Sequence, residues 1–232
     1  MCGRFAQYRS RKDYLEMLGL DSLAGGLSPE SIERYNVAPQ SSVVIVRMIE
    51  RQVRFEQLKW GYAPFWAKGK RPPAINARAE TATTSRFFKP VWQSGRCIVP
   101  ADGWFEWLKN PDDPKQKQPF FIHLKSGEPS FFAAIGQLPG EHDLEQREGD
   151  GFVIITTDSD AGMLDIHDRR PVVLSAEAAV NWLDPELDPN EARMIITDLA
   201  VPSEEFEWWK VDRAVGNVRN QGAHLIERTG PS

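Results

Sequence analysis

The sequence predicts a single α+β domain built mainly from antiparallel β-sheet, with helices inserted between the strands and flanking them. Short segments rich in β-branched and aromatic residues recur along the chain. The helical patterns between them do not follow the strand–helix–strand alternation of a parallel sheet. A length of 232 residues and a hydrophobic fraction of 41% suit one large globular domain. We expect that domain to span residues 1–232, with residues 223–232 as a tail.

The first half of the chain predicts two helices and one β-hairpin. Ser10, with Asp13 three residues later, has the pattern of a capping box at the start of a helix. Two strand-like segments flank residues 50–52, which we interpret as a tight turn. The predicted elements are a helix over residues 10–18, strands over residues 43–49 and 53–60, and a helix over residues 79–88.

The second half predicts a series of short strands and two longer helices. Two polar segments, residues 109–118 and 139–150, contain Pro or Gly, and strand patterns resume directly after each. We therefore interpret both as hairpin connections rather than domain linkers. Asp188 followed by Pro189 predicts the start of the last helix. The predicted strands cover residues 96–99, 103–108, 120–124, 130–138, 151–157 and 206–211, and the helices cover residues 175–183 and 188–199.

Composition excludes several classes of protein. No segment approaches the roughly 20 apolar residues that cross a bilayer, and the first 20 residues lack the apolar core of a signal peptide. The two cysteines, Cys2 and Cys97, form no CxxC pair, and the four histidines are scattered along the chain. We therefore expect a cytoplasmic protein with reduced thiols, without a metal or another cofactor and without a membrane partner.

The net charge of −5 conceals an asymmetry along the chain. Residues 1–125 carry 20 Lys and Arg against 12 Asp and Glu, whereas residues 126–232 carry 8 against 21. Residues 68–96 hold seven cations and one anion, a pattern typical of a polyanion-binding surface or of a solvated basic face. Phe65 and Trp66 lie just before this segment, on a predicted loop where they could stack on the bases of a single strand.

Cys2 is the most reactive candidate in the sequence. Removal of Met1 would leave an α-amine and a thiol on adjacent carbons. Such a 1,2-aminothiol condenses with an aldehyde, because the amine forms a Schiff base and the thiol then closes a five-membered thiazolidine. The alternative is a frayed terminus with an inert cysteine. Arg4, two residues later, could hold a phosphate beside this terminus.

Three further polar residues stand in patterns that suit catalysis. Asn76 and Arg78 alternate and would point the same way on an extended segment, although Asn76 could instead cap the next helix. Glu106 shares a strand face with Trp104, so it is either a buried acid–base carboxylate or an exposed side chain. His167 lies among two Asp and two Arg, where it could shuttle protons or belong to an ion-paired turn.

Seven motifs occur in order over nearly the whole chain: MCGRF, RYNVAP, WGYAP, INARAET, DGWFEW, DIHDRRP and AVGNVRNQG. Together they resemble the SRAP family, named for SOS-response-associated peptidases and now regarded as abasic-site processing proteins. The resemblance implies the SRAP fold and a nucleoid-associated monomer that binds single-stranded DNA in the DNA damage response. It also implies a lyase-like enzyme that shields abasic sites by a thiazolidine crosslink, since an abasic deoxyribose opens to an aldehyde.

The resemblance further implies roles for individual residues. Cys2 is the nucleophile, and Asn76 orients the terminus and the sugar. Glu106 is the acid–base carboxylate, and His167 assists proton transfer at the sugar ring and in reversal of the crosslink. Some relatives carry two adjacent Trp where this chain has Phe65 and Trp66. The residues implied to contact DNA are Arg4, Arg78, Arg86, Phe65 and Trp66.

Two other functions fit the same residues. Cys2 could be the nucleophile of a thiol peptidase, in which limited autoproteolysis removes Met1. Cleavage of a peptide that lacks an aldehyde would support that function. The chain could also be a non-catalytic module for single strands. Equal affinity for intact and abasic strands, without a covalent product, would favour that function.

Overall fold

The computed structural model describes residues 2–20, 30–110, 112–113, 116–140, 147 and 149–230. Strands dominate this part of the chain, and five α-helices lie between them. The strands are β1 (Phe5–Gln7), β2 (Arg34–Val37), β3 (Ser42–Ile49), β4 (Gln52–Lys59), β5 (Asn76–Arg78), β6 (Arg96–Ala101), β7 (Gly103–Lys109), β8 (Lys117–Leu124), β9 (Ser130–Gln137), β10 (Gly151–Asp158), β11 (Arg169–Pro171), β12 (Val173–Leu174) and β13 (Phe206–Lys210). The helices are α1 (Arg11–Met17), α2 (Ala79–Ala82), α3 (Lys89–Trp92), α4 (Ala176–Leu183) and α5 (Pro189–Asp198).

The strands form two sheets. The first has the order β13–β8–β7–β1–β2, and the second has the order β11–β10–β9–β6–β3–β4, with β12 beside β9 and β5 beside β10. Among these named strands only β5 and β10 pair in parallel. The predicted α+β class with mainly antiparallel sheet is therefore confirmed. No helix among the described residues is long and apolar enough to cross a bilayer.

Apolar side chains cover both faces of the second sheet. Successive residues of a strand point to opposite faces, and β6 shows this directly: Cys97 and Val99 join the cluster between the two sheets, whereas Ile98 joins the cluster under the helices. Cys2 and Phe5 also lie in the intersheet cluster. The start of the chain is therefore part of the core.

Most predicted elements are found within three residues of their expected bounds. The capping box is present, because Ser10 Oγ accepts from the amide of Asp13 and the Asp13 carboxylate accepts from the amide of Ser10. Both polar connections join neighbouring antiparallel strands, β7 with β8 and β9 with β10. Residues 111, 114–115, 141–146 and 148 of these connections lie outside the described residues.

The prediction of one helix over residues 79–88 is wrong. The chain instead forms α2, a series of turns and then α3. The Ser85 hydroxyl accepts a hydrogen bond from the amide of Phe87, which offers the backbone an alternative to the helical pattern. Phe87 then packs edge-on against Tyr62, with ring centroids 5.7 Å apart. Local hydroxyl bonding and this aromatic contact end the helix early.

The prediction of a tail over residues 223–232 is also wrong for its described part, residues 223–230. Leu225 is fully buried in a third apolar cluster, which covers the outer face of the first sheet. The indole N–H of Trp209 donates to the carbonyl of Ile226 at 2.9 Å. The segment is held because it covers apolar side chains that the sheet would otherwise expose to water.

Asp102 ties the start of the chain to the corner between β6 and β7. Its Oδ2 accepts hydrogen bonds from the Tyr8 amide and the Tyr14 hydroxyl, both at 2.6 Å. Its Oδ1 lies 2.8 Å from Arg9 Nε. The carboxylate is almost completely buried. Asp102 therefore acts as a structural anchor for β1 and α1.

We expect Asp102→Ala to lower the free energy of unfolding by about 3 kcal/mol, because it leaves buried donors and a partly buried guanidinium without their acceptor. Urea unfolding at neutral pH measures this loss. Asp112→Ala, which removes an exposed carboxylate from the β7–β8 connection, is the matched control. A loss below about 1 kcal/mol would show that these contacts are replaceable.

Candidate active site

Cys2 lies inside the fold rather than at a frayed end. Its side chain is 0% exposed in the intersheet cluster. Phe5, three residues later, pairs with Trp104 of β7 and Val37 of β2. Burial, with a further contribution from the Glu106 carboxylate, raises the pKa of the Cys2 thiol well above its usual range. The thiol is therefore held in its neutral form in this structure.

Asn76 reaches Cys2 from β5. Its Nδ2 donates a hydrogen bond to the backbone carbonyl of Cys2 at 2.8 Å. Its buried Oδ1 has no hydrogen-bond partner among the described residues, so an acceptor is present beside Cys2. Parallel pairing with Ile154 of β10 fixes the direction of this side chain. Asn76 does not cap α2, since Arg78 occupies that position.

Glu106 projects from the middle of β7 and is only 4% exposed. The alternation of the strand therefore places Glu106 and Trp104 on a buried face, and the alternative of an exposed carboxylate is wrong. Burial is the main cause that raises the pKa of Glu106 to about 8. Because its carboxyl group is mostly protonated at neutral pH, Glu106 can donate a proton.

His167 lies next to Glu106. Its Nε2 is 3.9 Å from Glu106 Oε2, and its Nδ1 is 3.0 Å from Asp168 Oδ1. The backbone nitrogen and carbonyl oxygen of Arg169 lie 3.0 and 3.2 Å from the same Nδ1. Burial lowers the pKa of the imidazole below its ordinary value, despite the neighbouring Asp168. His167 is therefore mostly neutral at pH 7, where it can accept a proton.

Arg169 connects two of the predicted site segments and was not itself a predicted site residue. The buried guanidinium binds both carboxylate oxygens of Glu80, at 2.7 and 3.0 Å, and also pairs with Asp158. It donates to the Thr156 carbonyl at 2.6 Å. Glu80 follows β5, and Arg169 follows His167, so this clamp fixes the two segments relative to each other. In the sequence, only the mixture of Asp and Arg in DIHDRRP indicated that Arg169 could form ion pairs.

Arg4 is held by side-chain and backbone groups from two distant motifs. Its Nη1 donates to Asn36 Oδ1 at 2.7 Å and to the Val215 carbonyl at 2.8 Å. Asn36 Nδ2 in turn donates to the carbonyls of Asn217 and Asn220. RYNVAP and AVGNVRNQG thus meet around Arg4. Contact between Arg4 and a phosphate stays a prediction.

An exposed surface of rings and cations, here named the basic aromatic face, comprises Phe65, Trp66, Lys68, Arg71 and Arg86. Phe65 is 88% exposed and Trp66 is 44% exposed. The Arg86 guanidinium lies 5.2 Å from the centre of the Trp66 ring, and Lys68 Nζ lies 5.9 Å from that of Phe65. The face thus presents stacking surfaces together with positive charge.

Two other cations of the basic segment differ in exposure. Arg78 is exposed at the start of α2. Arg96 is only 6% exposed and does not lie on the basic aromatic face. The polyanion-binding or solvated surface predicted for residues 68–96 therefore does not include Arg96, and contact between the exposed cations and a polyanion stays a prediction.

The four predicted catalytic residues thus form one cluster. It contains a thiol next to the chain start, an orienting amide, a protonated carboxyl group and a neutral imidazole. Such groups suit nucleophilic attack on a carbonyl carbon with local proton transfer. Within the part of the chain that the structure describes, no three His, Cys, Asp or Glu side chains come together as metal ligands.

The chain matches one family model and is similar in sequence to several abasic site processing proteins. The family model "SOS response associated peptidase (SRAP)" matches residues 1–218. The chain is 50% identical over 228 residues to abasic site processing protein YedK of Escherichia coli, covering 98% of this chain and 99% of YedK. It is 30% identical over 268 residues to abasic site processing protein HMCES of Rattus norvegicus, covering 95% of this chain and 74% of HMCES.

Solved structures have the same fold. A phage-related protein from Bordetella bronchiseptica matches with a TM-score of 0.77 at 34% identity, covering 91% of this chain and 95% of that protein. A protein from Bacteroides thetaiotaomicron matches with a TM-score of 0.71 at 22% identity, covering 98% of this chain and all of that protein. The second match extends the fold, but not a function, to a distant sequence.

Proposed function

This chain belongs to the SOS response associated peptidase (SRAP) family, and from that membership we propose that it processes abasic sites in single-stranded DNA. The proposed product is a thiazolidine crosslink between Cys2 and the open-chain aldehyde of the abasic sugar. The observation that carries this proposal is the burial of Cys2 beside Asn76, with Glu106 and His167 next to it. The names of the relatives support the same substrate.

The first step forms an imine. Removal of Met1 exposes the Cys2 α-amine, which attacks the aldehyde carbon and gives a carbinolamine. Neutral His167 accepts a proton from the nitrogen, and protonated Glu106 donates one to the hydroxyl group. That group leaves as water when the C=N bond forms. Asn76 keeps the Cys2 backbone in place. Its Oδ1, which has no hydrogen-bond partner among the described residues, can accept a hydrogen bond from the sugar or the amine.

The second step closes the ring. The Cys2 sulfur adds to the imine carbon, and its proton passes to the nitrogen, so the overall reaction releases one water and needs no oxidant or reductant. The thiol is buried and neutral in this structure, and proton transfer must accompany its attack. The fixed position of amine, thiol and aldehyde replaces an encounter in solution with a local step.

The basic aromatic face supplies the proposed contact with DNA. Exposed Phe65 and Trp66 can stack on bases, while Arg78, Arg86 and Lys68 can follow the phosphates. Binding should therefore weaken as salt concentration rises, because phosphate contacts release counterions.

We expect Trp66→Ala to weaken binding to an intact oligothymidylate by about 5- to 150-fold, since loss of one stacked base costs about 1–3 kcal/mol. Fluorescence anisotropy at several salt concentrations measures the affinity. Met194→Ala, which removes a side chain of similar exposure from α5, is the matched control. Equal affinities for Trp66→Ala and Met194→Ala would place the DNA contact elsewhere.

A denaturing gel tests the proposed function. The protein, with loss of Met1 verified by mass spectrometry, is mixed with an oligonucleotide that carries one abasic site. The controls are the intact strand and a strand whose abasic sugar is a tetrahydrofuran without an aldehyde. We expect a heat-stable shifted band with the aldehyde strand alone. Equal binding of all three strands without a band would favour a simple binding module, and cleavage of an aldehyde-free peptide would favour the peptidase.

A further inference from the structure

A groove separate from the Cys2 cluster lies at one end of the second sheet. We name it the α3–α4 groove, because α3 and the end of α4 form its walls. It has a volume of about 420 Å³ and shares six lining residues with a neighbouring cavity of about 550 Å³, which Tyr62 also lines. The polar residues that line the groove itself are Arg47, Lys89, Gln93, Ser94 and Arg96.

Arg96 is the central cation of this groove. Its Nε donates to the Trp182 carbonyl at 3.1 Å, and its Nη2 donates to the Asp184 carbonyl at 2.7 Å. Its buried Nη1 has no hydrogen-bond partner in the described part of the chain. Burial lowers the pKa of Arg96, which shows that the charge is poorly solvated. Carbonyls at the end of α4 and the Asp184 carboxylate offset this charge only in part.

Arg47 approaches the same groove from β3. Its Nη2 lies 2.6 Å from Glu56 Oε1, and its Nη1 donates to the Pro139 carbonyl at 2.8 Å. Its buried Nε has no partner among the described residues. Glu56 therefore balances the charge of Arg47. The Asp184 carboxylate offsets part of the charge of Arg96. The ammonium of exposed Lys89 adds to the remaining positive charge, and no described carboxylate is among the residues that line this groove.

The chemistry of the groove fits a phosphate group. A guanidinium with an unused N–H next to a second guanidinium and an ammonium can hold the several oxygens of a phosphate. Met48, Leu138 and Leu183 form apolar walls on which a sugar or a base could rest. Tyr62 lines the neighbouring cavity and packs against Phe87, and Phe87 packs against Trp66 of the basic aromatic face.

We propose that the α3–α4 groove binds a phosphate group, carried either by a DNA strand that extends beyond the Cys2 cluster or by a free nucleotide. The first source rests on the proposed function, whereas the second does not. Arg96 and the α4 helix belong to the helix side of the second sheet, and Cys2 belongs to the intersheet cluster. A phosphate bound in the groove would therefore lie on the other side of the second sheet from the sugar that reacts with Cys2.

The test uses backbone amide NMR of the full chain. Thymidine 5′-monophosphate, a 6-nucleotide oligothymidylate and a 20-nucleotide oligothymidylate are titrated separately. We expect the amide signals of Ser94, Gly95 and Arg96 to shift. Shifts with the mononucleotide identify a free nucleotide as the ligand, and shifts with the 20-nucleotide strand alone identify an extended DNA strand.

Two matched variants make the test specific. Gln93→Glu adds a carboxylate at an exposed position of the groove, and Thr197→Glu adds one at an exposed position of α5. We expect Gln93→Glu to weaken the binding that shifts these signals by about tenfold or more, and Thr197→Glu to change it by less than about twofold.

The absence of shifts with all three ligands, or equal effects of the two variants, would overturn the proposal and leave Arg96 as a cap for α4. Crosslinking of wild-type protein to a 6-nucleotide abasic strand is measured on the same preparations. That reaction reports on the Cys2 cluster and not on the groove, so failure of the groove and failure of the proposed function can be told apart.

Discussion

Cys2→Ala should abolish the heat-stable adduct with abasic DNA, and Cys2→Ser should give only a reversible one. Both variants keep the α-amine and can form an imine, but neither has a thiol to close the thiazolidine. Borohydride should therefore trap the imine of each variant, while heating without borohydride should release the DNA. A denaturing gel with and without borohydride measures both outcomes.

Cys97→Ala is the matched control for Cys2→Ala. Both thiols are 0% exposed and belong to the same intersheet cluster, and burial raises the pKa of each. Loss of either buried side chain costs some stability, but only Cys2 lies at the chain start beside Asn76. A heat-stable adduct with Cys2→Ala, or its loss with Cys97→Ala, would refute the aminothiol mechanism.

Glu106→Gln should slow formation of the crosslink by about 10²-fold or more, since a positioned acid–base group contributes about 10²- to 10⁴-fold. The glutamine has nearly the same shape but cannot donate a proton to the leaving hydroxyl group. Single-turnover kinetics on abasic DNA measure the rate, and anisotropy on intact strands verifies binding. Glu177→Gln, at an exposed position of α4, controls for loss of a carboxylate. A rate within about threefold of wild type would remove Glu106 from the mechanism.

The pH profile gives a second test of Glu106. The α-amine reacts in its neutral form, so the rate rises with pH through the ordinary range of that amine, about 7.7–8.0. Protonated Glu106 is lost as pH passes through its pKa of about 8, so the rate of wild type falls above this value. Glu106→Gln should lose the falling limb and keep the rising one.

The raised pKa of Glu106 also makes the stability of the protein depend on pH. The folded protein keeps the Glu106 proton between the ordinary carboxyl pKa, about 4.3, and about 8, whereas the unfolded chain has released it. Wild-type stability therefore falls as pH rises through this window. The free energy of unfolding of Glu106→Gln minus that of wild type should increase from pH 5 to pH 8, which urea unfolding can measure. A flat difference would show that Glu106 is ionised in the folded protein.

Part of the site could be predicted from sequence because its residues lie in short, distinctive motifs. Alternation along DGWFEW correctly placed Trp104 and Glu106 on one face, but burial of that face depends on β1 and β8, which flank β7. The clamp of Arg169 on Glu80 spans 89 residues, and no local pattern encodes it. The short strands β1, β2, β5, β11 and β12 also escaped prediction, since two to four residues carry too little periodicity.

By itself, the sequence determined the α+β class, the hairpins and the capped helices, because these follow from neighbouring residues. The reactivity of Cys2 stays a prediction. Only the tertiary structure decided that Cys2 is buried, that Asn76 donates to its carbonyl and that Glu106 Oε2 lies 3.9 Å from His167 Nε2. It also decided that Arg96, unlike the exposed cations of residues 68–96, is buried and lines a groove. The physical reason is that burial, and with it the pKa of each group, depends on which distant strands and helices pack together.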